Sequence, residues 1–335
     1  MQLHPVAYHA PDDVQQHIQN LIRPEDITLS PDNELFALAD YNDNSIAVFK
    51  SNLASRADDE TVYISHSLTI RSDMLDAPHG IRFINDQLVI VTNRGGDICL
   101  FAIPELTHTT LVLEQQPVYT FKARAVHGKI RTPSAVDIIP LGNNRYRVFV
   151  CNTRIHSIVA FDLLIEGNTF QLKNLGEVYN RGLRIPDGIC ISPDKRWAAV
   201  SNHDTHHVLI YAVPRFHRWL PVALQTLYYR LRKPVTFLSG VFYPHGIRFS
   251  HDGRRLFVAD AGTPYLTMYE NPKSVWKRHM RLPTQLIRVL SDELFDKEIT
   301  SPEEGGLKGV EVSRDDQYLL TTAQHQSLMI YRITG

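Results

Sequence analysis

The sequence predicts an all-β chain folded as a six-bladed β-propeller with four antiparallel strands per blade, and three observations predict it. One pattern recurs six times, with blade cores starting near residues 24, 78, 133, 186, 244 and 307. Successive copies lie 53 to 63 residues apart, room for four short strands and their turns. Each copy carries the same order of apolar runs and turn clusters. Blades that share one ring cannot be separated as independent cores, so the two domains that 335 residues would ordinarily suggest become a single domain, 1–335.

The elements follow in order within a copy. A short β-rich strand opens it (GIRF, GICI, GVEV) and ends at a Ser/Asp/Gly/Asn cluster of the kind that makes a tight hairpin. A second strand runs back (LFALA, LVIVT, RVFVC, WAAVS, LFVAD, YLLTT), a polar loop follows, and a third strand alternates apolar positions (SIAVF, LMIYR). Between copies, TVYISHSLTI, PVYTFKA, KNLGEVY, VTFLSG and QLIRVL supply a fourth. After Lys308 only half a blade remains, while PVAYHA and HIQNLI precede the first copy. The N-terminal segment is therefore expected to complete the last blade, closing the ring and leaving no raw edge.

In a propeller the first strand of each blade lines the central channel, and its start shares one face, the top, with the end of the second strand. Aligning the copies places Glu25, His79, Ser134, Asp187, His245 and Lys308 at the channel mouth. Blades three apart face each other, so Glu25 opposes Asp187, His79 opposes His245 and Ser134 opposes Lys308. Two imidazoles and two carboxylates aimed at one axis suit one divalent metal ion, such as zinc, iron, manganese or nickel. They equally suit a general base, since imidazole titrates near neutral pH and opposing carboxylates adjust it. Polar filling of a watery channel is the alternative. The ends of the second strands add Asp40, Asn93, Asn152, Asn202 and Asp260, with Ala323 breaking the series.

Other features surround this centre. The fourth blade's top loop reads NHDTHH (202–207), which places His203 beside Asp187 without a metal-ligand spacing. Arg94, Lys122, Arg124, Lys129, Arg131, Arg154, Arg181 and Arg184 form a basic sector around blades two to four, opposite the acidic linker 291–306. Such a sector suits a carboxylate or phosphate. An insertion in the fourth blade, 215–234, spaces Trp219, Leu220, Ala223, Leu224, Leu227 and Leu231 as an amphipathic helix between basic flanks. Its possible roles are a lid, a protein interface, an interfacial membrane contact, or packing on the propeller's own flank. A weaker insertion of the same kind is 271–283.

Several classes are excluded. With 35 Lys plus Arg against 36 Asp plus Glu, the net charge of −1 gives no field to recruit nucleic acid. No apolar stretch is long enough for a transmembrane segment, and MQLHPVAYHA does not read as a secretion signal, so a cytoplasmic location is expected. Cys99, Cys151 and Cys190 sit in apolar runs as reduced, buried thiols. The absence of GxSxG, GxGxxG, P-loop and HExxH patterns leaves no nucleotide cofactor and no serine-hydrolase elbow.

The copies PHGIRF–LFVAD (244–260) and PDGICISPDKRWAAVSN (186–202) resemble NHL- and YVTN-repeat propellers. More distantly the chain resembles the gluconolactonase and senescence-marker-protein family and strictosidine synthase. The gluconolactonase resemblance implies one divalent metal at the mouth held by two acids, matched here by Glu25 and Asp187, and by amides for which Asn152 or Asn202 is placed. His79 and His245 have no counterpart in that pattern. The strictosidine synthase resemblance implies a catalytic acid near the last blade, where Glu303 and Glu304 lie. The leading expectation is hydrolase or lactonase-like chemistry on a polar or anionic small molecule, with Glu25, His79, Asp187 and His245 catalytic or metal-binding and with Arg94, Asn93, Asn152, Asn202, His203, Lys308 and Ser134 contacting substrate. The rival is a non-enzymatic scaffold holding a protein partner at the top loops or at 215–234.

Overall fold

The structure, a computed structural model, describes residues 1–53, 61–122, 130–216, 220–277, 280–298 and 305–334. Six antiparallel four-strand blades stand in a ring. From the channel outward, blade 1 is Pro24–Leu29, Leu35–Asp40, Ser45–Ser51 and Val62–Arg71, and blade 2 is Pro78–Asn85, Leu88–Asn93, Ile98–Ala102 and Tyr119–Phe121. Blade 3 is Pro133–Gly142, Arg145–Asn152, Ser157–Glu166 and Thr169–Tyr179, and blade 4 is Pro186–Ile191, Trp197–Asn202, His207–Ala212 and Thr236–Leu238. Blade 5 is Pro244–Phe249, Arg255–Asp260, Tyr265–Glu270 and Gln285–Arg288. Blade 6 joins Leu307–Val312, Tyr318–Ala323 and Met329–Thr334 to the N-terminal strand Gln2–Pro5.

The expected ring closure is present, since Gln2 pairs with Thr334 and Pro5 with Tyr331 in antiparallel register. The N-terminal segment also does more. Tyr8 and His9 pair in parallel with Val62 and Tyr63 of blade 1, and helix α1 (Asp12–Gln19) buries Val14 and Ile18 in a cluster shared by blades 1 and 6. Blades 1 and 4 each carry a further parallel strand, Thr110–Glu114 and Met280–Arg281, that the repeat did not announce.

Local chemistry explains the repeat. The underside turns use one device in blades 1, 4, 5 and 6: Ser30, Ser192, Ser250 and Ser313 each donate to the Asp two residues on, at 2.5 to 2.6 Å. The next residue (Asn33, Lys195, Gly253, Asp316) turns the chain at positive φ. Each innermost strand has a register shift at its start, between Pro24 and Asp26 in blade 1, Pro78 and Gly80 in blade 2, and Pro186 and Gly188 in blade 4. Glu25, His79 and Asp187 are the extra residues of these bulges, and a bulge re-aims its side chain. Blades pack tightly at this level: a Cβ added to Gly188 would meet the His245 carbonyl oxygen at 2.0 Å, and one added to Gly246 that of Lys308 at 2.4 Å.

Candidate active site at the channel mouth

The six mouth residues are brought together and all are buried. The His79 and His245 rings stand 5.0 Å apart, centre to centre, flanked by the two carboxylates in alternation. His245 Nε2 lies 3.0 Å from Glu25 Oε2 and 3.4 Å from Asp187 Oδ2, and His79 Nε2 lies 3.7 Å from Glu25 Oε2 and from Asp187 Oδ1. His245 Nδ1 is 3.0 Å from the Lys308 carbonyl, which can only accept, so this nitrogen carries the hydrogen. In a neutral ring the Nε2 lone pair would then face two carboxylates.

His79 differs from its twin. Neither of its ring nitrogens has a hydrogen-bond partner among the described residues. Burial holds it neutral, its pKa well below the ordinary histidine value, with the Arg94 guanidinium pushing the same way and Asp187 and Glu25 opposing. The carboxylates behave oppositely. Burial alone would raise Glu25, but Lys308, 4.0 Å away, and the adjoining imidazoles hold it well below the usual range. Burial is outweighed at Asp187 too, chiefly by Arg94, whose Nη2 donates to Oδ1 at 2.6 Å. Arg23 bonds Glu25 through its Nε. Arg94, its side chain 26% exposed, and Arg23, 18% exposed, are the parts of this cluster that reach solvent.

The other expected contacts are distributed differently. Ser134 Oγ donates to the Pro186 carbonyl at 3.1 Å and accepts from Thr153. Asn93, Asn152 and Asn202 turn away from the axis, their side-chain oxygens accepting from Asp76, Arg131 and Arg184 backbone N–H groups; Asp40 and Asp260 hold the equivalent loops. His203 is buried against Tyr243 with Nδ1 3.4 Å from the Pro244 carbonyl. His206 is a clamp rather than a ligand: at positive φ, like His156, it bonds the connector of the next blade at Phe242, as His156 bonds Ile185. Arg131, Arg154, Arg181 and Arg184 are exposed on top loops, and Lys122 lies 3.7 Å from Asp97. Arg124, Lys129, Trp219, Glu303 and Glu304 lie outside the described residues.

A second ring escaped the sequence reading. Three residues further along the innermost strands come Thr28, Arg82, Asp137, Cys190, Arg248 and Glu311. Arg82 and Arg248 alternate with Asp137 and Glu311: Arg82 Nη1 bonds Glu311, its Nε is 3.4 Å from Asp137, and Arg248 lies 3.0 Å from Glu311 and 3.5 Å from Asp137. The signal was PHGIRF itself, which repeats His and Arg at the same offset in blades 2 and 5. A cavity of about 10 Å³ separates the two rings, and one of about 380 Å³ opens below the lower. The upper is one water molecule in size.

The donor set fits a divalent ion. Glu25, His79 and His245 can each offer one atom, all within 4.8 Å of one another, and Asp187 adds a fourth side. Arg23, Arg94 and Lys308 already neutralise the carboxylates and would compete with the ion.

Comparison with known proteins adds shape. A protein of Bacteroides uniformis provisionally described as a 6-phosphogluconolactonase superposes with a TM-score of 0.55 at 13% identity, over 93% of this chain and 81% of its own. A luciferin-regenerating enzyme does so with a TM-score of 0.55 at 10% identity, over 94% and 92%. The likeness is one of fold. No family profile matches the sequence, and no curated protein matches it either.

Proposed function

We propose that the chain is a small-molecule hydrolase acting on a lactone-like substrate with an anionic group, at the top of the channel. The observation that carries this reading is the buried alternation of two imidazoles with two carboxylates, one imidazole having both nitrogens unpartnered. An unsatisfied buried polar group costs about 1–3 kcal/mol, and active sites are where such a cost is retained. Both structural neighbours carry the names of enzymes, and one name specifies a phosphorylated lactone.

Arg94 couples binding to chemistry. It covers Asp187 and helps keep His79 neutral. A substrate carboxylate or phosphate that draws Arg94 away opens the mouth and removes a positive charge beside His79, which becomes more basic. His79 then takes a proton from water as the oxygen attacks the lactone carbonyl; the ring C–O bond breaks and the alkoxide recovers that proton. Lys308 offsets the oxyanion. A divalent ion held by Glu25, His79, Asp187 and His245 would supply Lewis-acid polarisation of the carbonyl.

The test is metal analysis of the purified protein with hydrolysis assays on sugar lactones and their phosphates. His79→Ala and Arg94→Ala should each lower kcat/KM by about 10²-fold or more, general-base loss being of that order. A panel without turnover in wild type overturns the reading. The rival, a binding scaffold, is favoured by one observation, that the mouth residues are all buried and leave beneath them a cavity of only about 10 Å³. It predicts that a protein partner is lost on changing exposed top-loop arginines while His79→Ala binds normally.

A further inference from the structure

Helix α2 (Val222–Arg230), within the fourth-blade insertion, is inside out. It lies against the outer strand of blade 3, where Thr226 Oγ1 bonds the Leu175 carbonyl, and turns Gln225 and Tyr229 inward to be buried. Its apolar stripe faces solvent: Leu224 is 60%, Leu227 51%, Tyr228 56% and Leu231 51% exposed. These positions follow the i, i+3, i+4, i+7 rule and make one continuous ridge. A stripe on an outward face calls for a cover, and the charge around it indicates which.

From 215 to 233 the chain has five Lys and Arg and no Asp or Glu, although acids and bases are balanced over the whole. Arg230, Arg232 and Lys233 follow directly on the ridge, and the Arg232 guanidinium stacks over the Tyr228 ring at 4.8 Å. Arg230 alone of these meets an acid among the described residues, Glu177 at 3.1 Å. A second copy would bring basic face to basic face and be repelled. Leucines with an interfacial tyrosine and adjacent lysine and arginine match an anionic lipid surface, where apolar side chains enter the acyl boundary and cations meet headgroups.

We propose that α2 docks the propeller on anionic membranes, with Leu224, Leu227, Tyr228 and Leu231 inserted and Arg232 and Lys233 at the headgroups. One nine-residue helix gives a reversible, salt-sensitive attachment.

The experiment is flotation of the full chain with vesicles of phosphatidylcholine alone or mixed with phosphatidylserine. Binding to the mixed vesicles is expected, released by high salt and reduced about tenfold or more by Leu224→Glu with Leu227→Glu, which place charge in the acyl boundary. Arg232→Glu with Lys233→Glu should abolish the preference for anionic lipid. All four positions are exposed, so unchanged thermal unfolding certifies the variants. Three results would each overturn the proposal: equal recovery with both vesicle types, retention by the Leu224→Glu/Leu227→Glu variant, or a dimer in solution that the same variant dissolves.

Discussion

The two rings of the channel are built on the same six strands, three residues apart, with the same plan of a cationic or basic pair opposed across the axis and two acids between. The acids come from blades 1 and 4 above and from blades 3 and 6 below, and the opposed pair of blades 2 and 5 changes its chemistry. In the lower ring Arg82 and Arg248, charged at every physiological pH, are locked to Asp137 and Glu311. In the upper ring imidazoles occupy the equivalent places, and His79 leaves both its ring nitrogens unpartnered. Permanently charged guanidiniums make a septum; titratable imidazoles make a site that can exchange a proton or take a ligand.

That difference can be broken or sharpened by mutation. The largest effect is expected for Arg82→Ala, which leaves Arg248 alone to pair with Asp137 and Glu311 in the interior; losing one partner of a buried ion pair costs about 3–5 kcal/mol, read by denaturant unfolding. An unchanged midpoint would show the lower ring to be solvated and the contrast with the upper ring false.

Next comes pH. Burial raises Asp137, and likewise Asp26, from 3.8 to about 6 despite Arg82. The folded chain thus holds these protons more tightly than the unfolded chain. Each contributes stability that is fully present below pH 3.8 and is lost as pH rises through 6, about 3 kcal/mol for a shift of this size. His79, held below 6.5, works oppositely: its contribution is present above 6.5 and lost as pH falls. Asp137→Asn should therefore remove one of these losses of stability between pH 4 and 7. A slope identical to that of wild type would remove Asp137 from the account.

Gly188→Ala tests the junction between the rings. The new methyl group meets the His245 carbonyl, so His245 must shift; overpacking of this kind costs about 1–3 kcal/mol, and activity should fall with stability. The smallest change in stability belongs to His79→Phe. It keeps an aromatic ring and removes the unpartnered nitrogens, whose relief offsets the strain of the larger ring, so the unfolding free energy should move by less than about 1 kcal/mol while hydrolysis is lost. A loss of several kcal/mol would mean that His79 is structural, as Arg82 is.

The upper ring was legible because each copy puts a polar residue at one column of the repeat, and opposed blades then follow from counting. The lower ring was not, for a physical reason. In a regular strand a residue three along points to the other face, so Arg82 beside His79 reads as facing away. The bulge at each strand start inserts one residue and restores both to the axis, and apolar alternation does not encode bulges. Asn93, Asn152 and Asn202 show a similar limit: an amide at a strand end reads the same whether it faces a channel or ties down a loop. For α2, spacing revealed a stripe of leucines but not the side on which it lies. The weaker insertion forms no helix over 271–277 and instead buries Trp276, whose Nε1 donates to the Gly253 carbonyl.

The pairing of Gln2 with Thr334 has a consequence for folding order. Five blades consist of segments near in sequence and can assemble as local hairpins, but the sixth needs partners separated by almost the whole chain. Contacts of such separation form slowly and late. Until blade 6 acquires its outer strand, α1 and the first blade have no neighbour on one side, and the strand Met329–Thr334 is an open edge that can pair with another chain. Ring closure is thus the step at which slow refolding and strand exchange between molecules compete.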